Sequence, residues 1–116
     1  MATIQIDVII EQGATFAEVW QILNKDLTTG YTWSAKFRPQ HASSTTVLSL
    51  TSAGGTLVIT KSGSHTHATA SVNPTTTAAL TAPSRGVYDI EYTETATGIV
   101  TRAVEGSYYI TPEATR

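Results

Sequence analysis

The chain has 116 residues, no cysteine, a net charge of -2 and only 14% charged residues. This length suits one domain with a core that needs no cross-link, so we expect a single domain over residues 1–116, without disulfides or thiolate metal sites. The slightly acidic net charge argues against nucleic acid as a partner. The sequence has no apolar run of about 20 residues, which argues against a membrane-spanning helix. Residues 1–7 do not have the pattern of a Sec signal, which argues against secretion by that route.

The first third of the chain reads as strands separated by turns. Residues 3–11 begin with apolar alternation, and residues 16–23 fit a second strand better than two helical turns. A turn over residues 24–30 leads into strict alternation over Tyr31–Arg38, which predicts a strand with its aromatic face in the core. Pro39 ends this strand because proline lacks the N–H that a sheet needs.

The middle of the chain is rich in threonine, serine and glycine. Residues 45–51 and 56–61 form two strand patterns around Ala53-Gly54-Gly55, and this pair predicts a hairpin. Residues 65–72 fit a weaker strand. The polar segment over residues 62–77 is the part that we expect to be the most mobile.

The last third predicts one helical turn and a series of strands. Asn73–Pro74 suits the N-cap and first position of a turn over residues 75–80. Strand patterns follow at residues 87–93, 99–104 and 107–111, with a bend before the last one. Seven to nine short strands at this spacing, rich in branched residues, predict an all-β sandwich or small barrel.

His65 and His67 form the one local pattern that could hold a metal. Two histidines at i and i+2 on a strand share a face, but a zinc site needs three or four ligands and His41 is distant in the sequence. We interpret the pair as solvent-facing imidazoles in a mobile loop. We predict no metal ligands.

Asp89 and Glu91 also share one face of a strand and could in principle act as an acid–base pair. The outer face of an amphipathic strand is the interpretation that we favour. The chain has no nucleophile-elbow serine motif, no P-loop and no dinucleotide-binding glycine motif. We therefore predict no catalytic residues, no cofactor and no enzymatic activity.

The aromatic residues divide into core and contact candidates. Trp33 and Phe37 could stack a sugar or a base, but their period of two places them in the core. Tyr92, Tyr108 and Tyr109 would be better contact residues if they are exposed. The arginines are too far apart in the sequence to define a patch: Arg38, Arg85, Arg102 and Arg116.

Several motifs along the chain resemble small virion proteins of tailed bacteriophages. Residues 26–32 read Asp-Leu-Thr-Thr-Gly-Tyr-Thr, similar to the D-L-T-G-Y-T turn that opens a strand ending in an arginine, here Arg38. Further similarity runs over residues 11–16 and 86–91 and through the ending over 111–116. Thr29 is an extra residue within the turn motif, and residues 43–71 match least.

This resemblance implies an immunoglobulin-like antiparallel β-sandwich without catalysis and with a place in the virion. Its partners would be other virion proteins of the tail, baseplate or fibre-attachment region, in several copies per particle, after synthesis in the host cytoplasm. A capsid decoration protein that contacts the major capsid protein is an alternative. From another class, a carbohydrate-binding module with exposed aromatic residues is a second alternative.

Physical chemistry gives the motif residues structural roles. Asp26 can accept bonds from backbone N–H groups two residues on, and Gly30 supplies conformational freedom. Tyr88 is a candidate for the corner tyrosine of immunoglobulin-like domains.

The two ends of the chain have the pattern of sheet edges. Residues 3–10 and 107–111 alternate and carry few charges, as strand pairing with a neighbouring protein requires. We expect at least one of them to contact another virion protein. Deletion of residues 1–6 or 112–116 is then expected to leave much of the isolated fold intact.

Overall fold

Nine strands and one helical turn are present in the computed structural model, which describes residues 4–40 and 42–113. The strands are β1 (Ile4–Gln5), β2 (Val8–Glu11), β3 (Val19–Ile22), β4 (Tyr31–Arg38), β5 (Leu48–Thr51), β6 (Leu57–Ser62), β7 (His65–Ala70), β8 (Ser84–Glu94) and β9 (Val100–Thr111), and the helix α1 is Pro74–Ala78. Two residues weighed above, His41 and Arg116, lie outside the described part of the chain.

The strands form two sheets that pack face to face. The wide sheet has the order β1–β9–β8–β4–β5, with β2 also paired to β9, and the narrow sheet has the order β3–β7–β6. The β9, β8, β4 and β5 strands follow the order of the G, F, C and C′ strands of a variable-type immunoglobulin domain, and β3, β7 and β6 follow B, E and D. The predicted immunoglobulin-like sandwich is therefore confirmed.

The first strands depart from a purely antiparallel pattern. Both β1 and β2 run parallel to β9, with Val8 opposite Tyr108 and Glu11 opposite Thr111. Val8 and Ile10 are buried, whereas Ile4 is 37% exposed. Ile6, between the two strands, is partly buried and packs against the core.

The β4 strand, which lies between β8 and β5 in the wide sheet, matches its prediction to the residue. The inward side chains of Trp33, Ala35 and Phe37 are buried, and Pro39 follows directly after β4. Phe37 stacks on Tyr88 with 5.0 Å between ring centroids, and Phe16 meets Phe37 edge-on at 6.2 Å. Aromatic residues of both sheets thus fill the core.

The predicted hairpin between β5 and β6 is wrong. β5 pairs with β4 in the wide sheet, whereas β6 pairs with β7 in the narrow one, so the chain crosses from one sheet to the other. Leu50 and Leu57 are both buried, and they enter the core from opposite sheets. Thr56 supports the crossing because its Oγ1 accepts a hydrogen bond from the N–H of Thr51 at 3.0 Å.

The segment expected to be weak and mobile contains the central strand of the narrow sheet. β7 pairs with β3 on one side and β6 on the other, and Thr66, Ala68 and Ala70 are fully buried. The hydroxyl of Thr66 donates to the carbonyl of Lys25 at 2.7 Å and accepts from the N–H of Leu27 at 2.8 Å. Its polar group is satisfied, so a threonine-rich strand can occupy the middle of a sheet.

The helical turn after β7 forms as predicted. Asn73 Oδ1 accepts a hydrogen bond from the N–H of Thr76 at 2.9 Å, and Pro74 occupies the start of α1. Thr77 is fully buried, and its hydroxyl donates to the carbonyl of Ala14 at 2.7 Å. The turn therefore closes the end of the sandwich near residue 14.

Candidate contact surface

The residues weighed for metal binding lie on a paired strand and not in a loop, so that part of the expectation is wrong. His65 and His67 are half-buried neighbours on one face of β7. His65 Nδ1 accepts a hydrogen bond from the N–H of Asn24 at 2.9 Å, so it has a structural partner. Within residues 4–40 and 42–113, no group of three or more potential ligand side chains could hold a metal ion.

Asp89 and Glu91 lie on the outer face of the wide sheet, where the strand pattern placed them. The carboxylate of Asp89 is 3.5 Å from Nε of Arg102, and Nη1 of Arg102 is 3.3 Å from Glu105. These contacts make Asp89 part of an exposed ion-pair network.

Two of the three tyrosines proposed as contact residues are in the core. Tyr92 is 6% exposed and Tyr108 is 2% exposed, so that proposal is wrong for both. β9 continues through the bend expected at Gly106, and Tyr108 points inward against Phe37. Tyr109 does face outward, and the guanidinium carbon of Arg85 lies 5.3 Å from its ring centroid.

The basic residues are closer in space than in sequence. Lys36, Arg38 and Arg102 line one recess of about 190 Å³ on the wide sheet, together with Asp89. β4 and β9 flank β8, and this register brings Arg38 and Arg102 to the same recess. Sequence spacing could not show this, because the pairing of the strands determines it.

One surface groove lies on the outer face of the wide sheet beside β2. It has a volume of about 530 Å³, and its lining includes Ile9, Val87, Tyr109 and Arg85. A second groove of about 450 Å³ runs between the open sides of β2 and β3, and its lining includes Ile9 and Val19. Ile9 belongs to both grooves and is 61% exposed.

Both ends of the chain were expected to form open strand edges, and the structure differs from this expectation at the C-terminal segment. β2 is an edge strand, as predicted for residues 3–10. Residues 107–111 are not an edge, because they belong to β9, which is paired with β8 on one side and with β1 and β2 on the other. β1 and β2 pair with the side of β9 that was expected to be open.

No family model and no curated protein matches the chain. Among solved structures, it is similar to one described as the NK cell receptor Nkp44, a triggering partner in natural cytotoxicity, at 10% sequence identity. The alignment covers 97% of this chain and 100% of that one, with a TM-score of 0.49. In the part of the chain that the structure describes, no helix is long and apolar enough to span a membrane.

Proposed function

We propose that this protein is a non-enzymatic structural component of a tailed bacteriophage particle. It acts in the tail, baseplate or fibre-attachment region, in several copies, through contacts with other virion proteins after synthesis in the host cytoplasm. The resemblance of its turn and strand motifs to small phage virion proteins supports this function. A capsid decoration protein on the head surface is the alternative within the same class.

The observation that carries the proposal is an exposed apolar side of the sandwich along open strands. Ile9 on β2 is 61% exposed, and on the facing sheet Val19 and Leu23 are 49% and 57% exposed. Natural proteins usually protect such edges with charge, proline or a bulge, and exposed apolar surface beside an open strand is typical of a contact site.

The motif residues support the fold and leave that side free for contacts. Asp26 Oδ1 accepts hydrogen bonds from the hydroxyl and the N–H of Thr28, at 2.6 and 3.3 Å, and these bonds lower the pKa of Asp26. Leu27 is buried, and its carbonyl accepts the Nε1–H of Trp33 at 3.1 Å. Gly30 has a φ of 84°, as the turn interpretation requires. The motif thus anchors the start of β4 in the core.

Particles of the phage whose genome carries this gene test the proposal. Mass spectrometry of purified particles is expected to find the protein in several copies, and antibody-labelled electron microscopy is expected to place it at the tail or baseplate. Label on the head would favour the capsid decoration alternative. Its absence from purified particles would contradict both.

A carbohydrate-binding module is supported by one feature only. Tyr109 lines the 530 Å³ groove, where a sugar ring could stack on it, with Asp7 and Ser107 nearby as polar partners. However, Arg85 already lies over this ring, and Trp33 and Phe37 are buried. Binding of the purified protein to a glycan array, lost in Tyr109→Ala, would move this function ahead.

A further inference from the structure

The narrow sheet has an open position beside β3. In the immunoglobulin arrangement, the sheet that holds the B, E and D strands also has an A strand next to B. Here β1 and β2 both lie in the wide sheet, and no described strand pairs with β3 on the side away from β7. The sandwich therefore has a place for one more strand.

The backbone groups that face this position follow from the pairing of β3 with β7. The N–H of Ala70 donates to the carbonyl of Glu18 at 2.8 Å, and Phe16 and Val72 exchange both of their hydrogen bonds at 3.0 Å. In an antiparallel pair such residues alternate with residues whose N–H and C=O point the other way. On β3 and the residues before it, the groups pointing outward are those of Ala17, Val19 and Gln21, and they have no partner among the described residues.

This edge is less protected than the other edge of the narrow sheet. Its outward side chains carry no charge, and Val19 is 49% exposed. On the opposite edge of the narrow sheet, β6 carries Lys61, whose Nζ lies 3.2 Å from Asp26. An exposed lysine on an edge strand disfavours unwanted strand pairing, so of the two edges of the narrow sheet β3 is the one that tolerates pairing.

The groove next to this edge is acidic. Glu11 and Glu18 both line it, and neither forms an ion pair with a described residue. A second copy of the chain paired with β3 about a two-fold axis would bring another two carboxylates to the same place, which is unfavourable. A segment with a positive charge would instead be attracted to it.

We infer that β3 pairs with an extended segment of a neighbouring virion protein, in which apolar side chains alternate and a lysine or arginine reaches Glu11 and Glu18. The inference rests on the proposed function, because it names the partner of that contact surface. Main-chain hydrogen bonds to β3 supply affinity in this mode of recognition, and the side chains supply specificity.

Two matched variants on the narrow sheet test the pairing. Val19→Lys places a charged side chain on the open edge of β3, where it disfavours strand pairing. Val58→Lys makes the same change on β6, where Val58 is 43% exposed. In particles assembled with each full-length variant, Val19→Lys is expected to lower the number of incorporated copies by about tenfold or more, and Val58→Lys by less than about twofold. Equal melting temperatures of the two variants verify that both fold.

Site-specific crosslinking identifies what occupies the edge without depending on a loss of assembly. The chain has no cysteine, so Gln21→Cys labelled with a photoreactive maleimide reports on β3 alone, with Val58→Cys as the control. The expected result is a crosslink from residue 21 to a different virion protein and none from residue 58. A crosslink only to a second copy of this chain would overturn the inferred partner.

The failure of this inference can be told apart from the failure of the proposed function. If the wild-type protein is missing from purified particles, the proposed function is wrong. If the wild type is present but Val19→Lys incorporates as well as Val58→Lys, and residue 21 crosslinks to nothing, the pairing at β3 is wrong and the structural function still stands.

Discussion

Tyr88 connects three parts of the molecule. Its hydroxyl donates to the carbonyl of Ile6 and accepts from Nε1–H of Trp20 at 3.1 Å, while its ring stacks on Phe37. A corner tyrosine would bond the backbone a few residues upstream, so the corner interpretation is wrong. Ile6 lies between β1 and β2, 82 residues before Tyr88, and the residue pattern gave no sign of this partner.

Loss of the Tyr88 hydroxyl should destabilise the fold. In Tyr88→Phe, the buried Nε1–H of Trp20 loses its acceptor and the carbonyl of Ile6 loses its donor. We expect the free energy of unfolding to fall by about 1–3 kcal/mol, measured by urea denaturation. Tyr109→Phe on the outer face is the control, and an equal loss in both variants would contradict the role of the bridge.

Alkaline pH should weaken the protein through the same residue. Burial raises the pKa of Tyr88 from 10.0 to about 12, although the bond from Trp20 acts in the opposite direction. Because the folded pKa is above the unfolded one, the stabilisation is complete below pH 10.0 and is lost as the pH rises toward about 12. Unfolding curves across this range should show the loss in the wild type and a smaller loss in Tyr88→Phe, since burial also raises the pKa of Tyr108.

Trp33 tests the core directly. It is 2% exposed, and its indole N–H bonds to the carbonyl of Leu27. Trp33→Ala should cost about 3–5 kcal/mol, a large part of the about 5–15 kcal/mol available to a domain. A melting temperature no lower than that of Val100→Ala, a change at a residue that is 55% exposed, would show that the site is not part of the core.

Among the secondary-structure elements, the alternation of apolar and polar residues predicted strands reliably, but the sequence did not predict which strands pair with each other. β4 was predicted to the residue because its apolar residues, three of them aromatic, alternate strictly with polar ones. The hairpin of β5 and β6 failed because a short glycine turn also suits a crossing between sheets. β7 was predicted as a weaker strand, yet it is central in the narrow sheet and the hydroxyl of Thr66 is satisfied in the core. Pairing between strands that are distant in the sequence also determines which strand edges are open. The sequence could therefore predict a contact surface along a strand edge, but it could not show which edge.

Gly106 packs closely against the segment that joins β1 and β2. A Cβ at this position would overlap the carbonyl oxygen of Ile6. Gly106→Ala should therefore push β1 away from β9 and cost about 1–3 kcal/mol in urea unfolding. Ser107→Ala, at the exposed neighbour, should cost little. Equal stability of the two variants would show that the strands do not approach each other this closely.

On the scale of the whole molecule, the N-terminal segment is part of the fold as well as an edge. Ile6 donates its N–H to Glu105 at 2.9 Å and accepts from Tyr88. Deletion of residues 1–6 should therefore lower the free energy of unfolding by about 1–3 kcal/mol or more, even though much of the isolated fold is expected to remain. Deletion of residues 1–3 alone removes none of these contacts and is the control. Similar melting temperatures for both truncations would contradict the structural role.

The parallel pairing of β2 with β9 has a consequence for the order of events during synthesis. Val8 lies opposite Tyr108, so β2 has no sheet partner until β9 has been synthesised about 100 residues later. Until then, the nascent chain carries β2 as an unpaired apolar segment. Contacts between residues so distant in sequence form slowly, because the intervening chain must first be ordered. Closure of β1 and β2 onto β9 is therefore a late step in the folding of this domain.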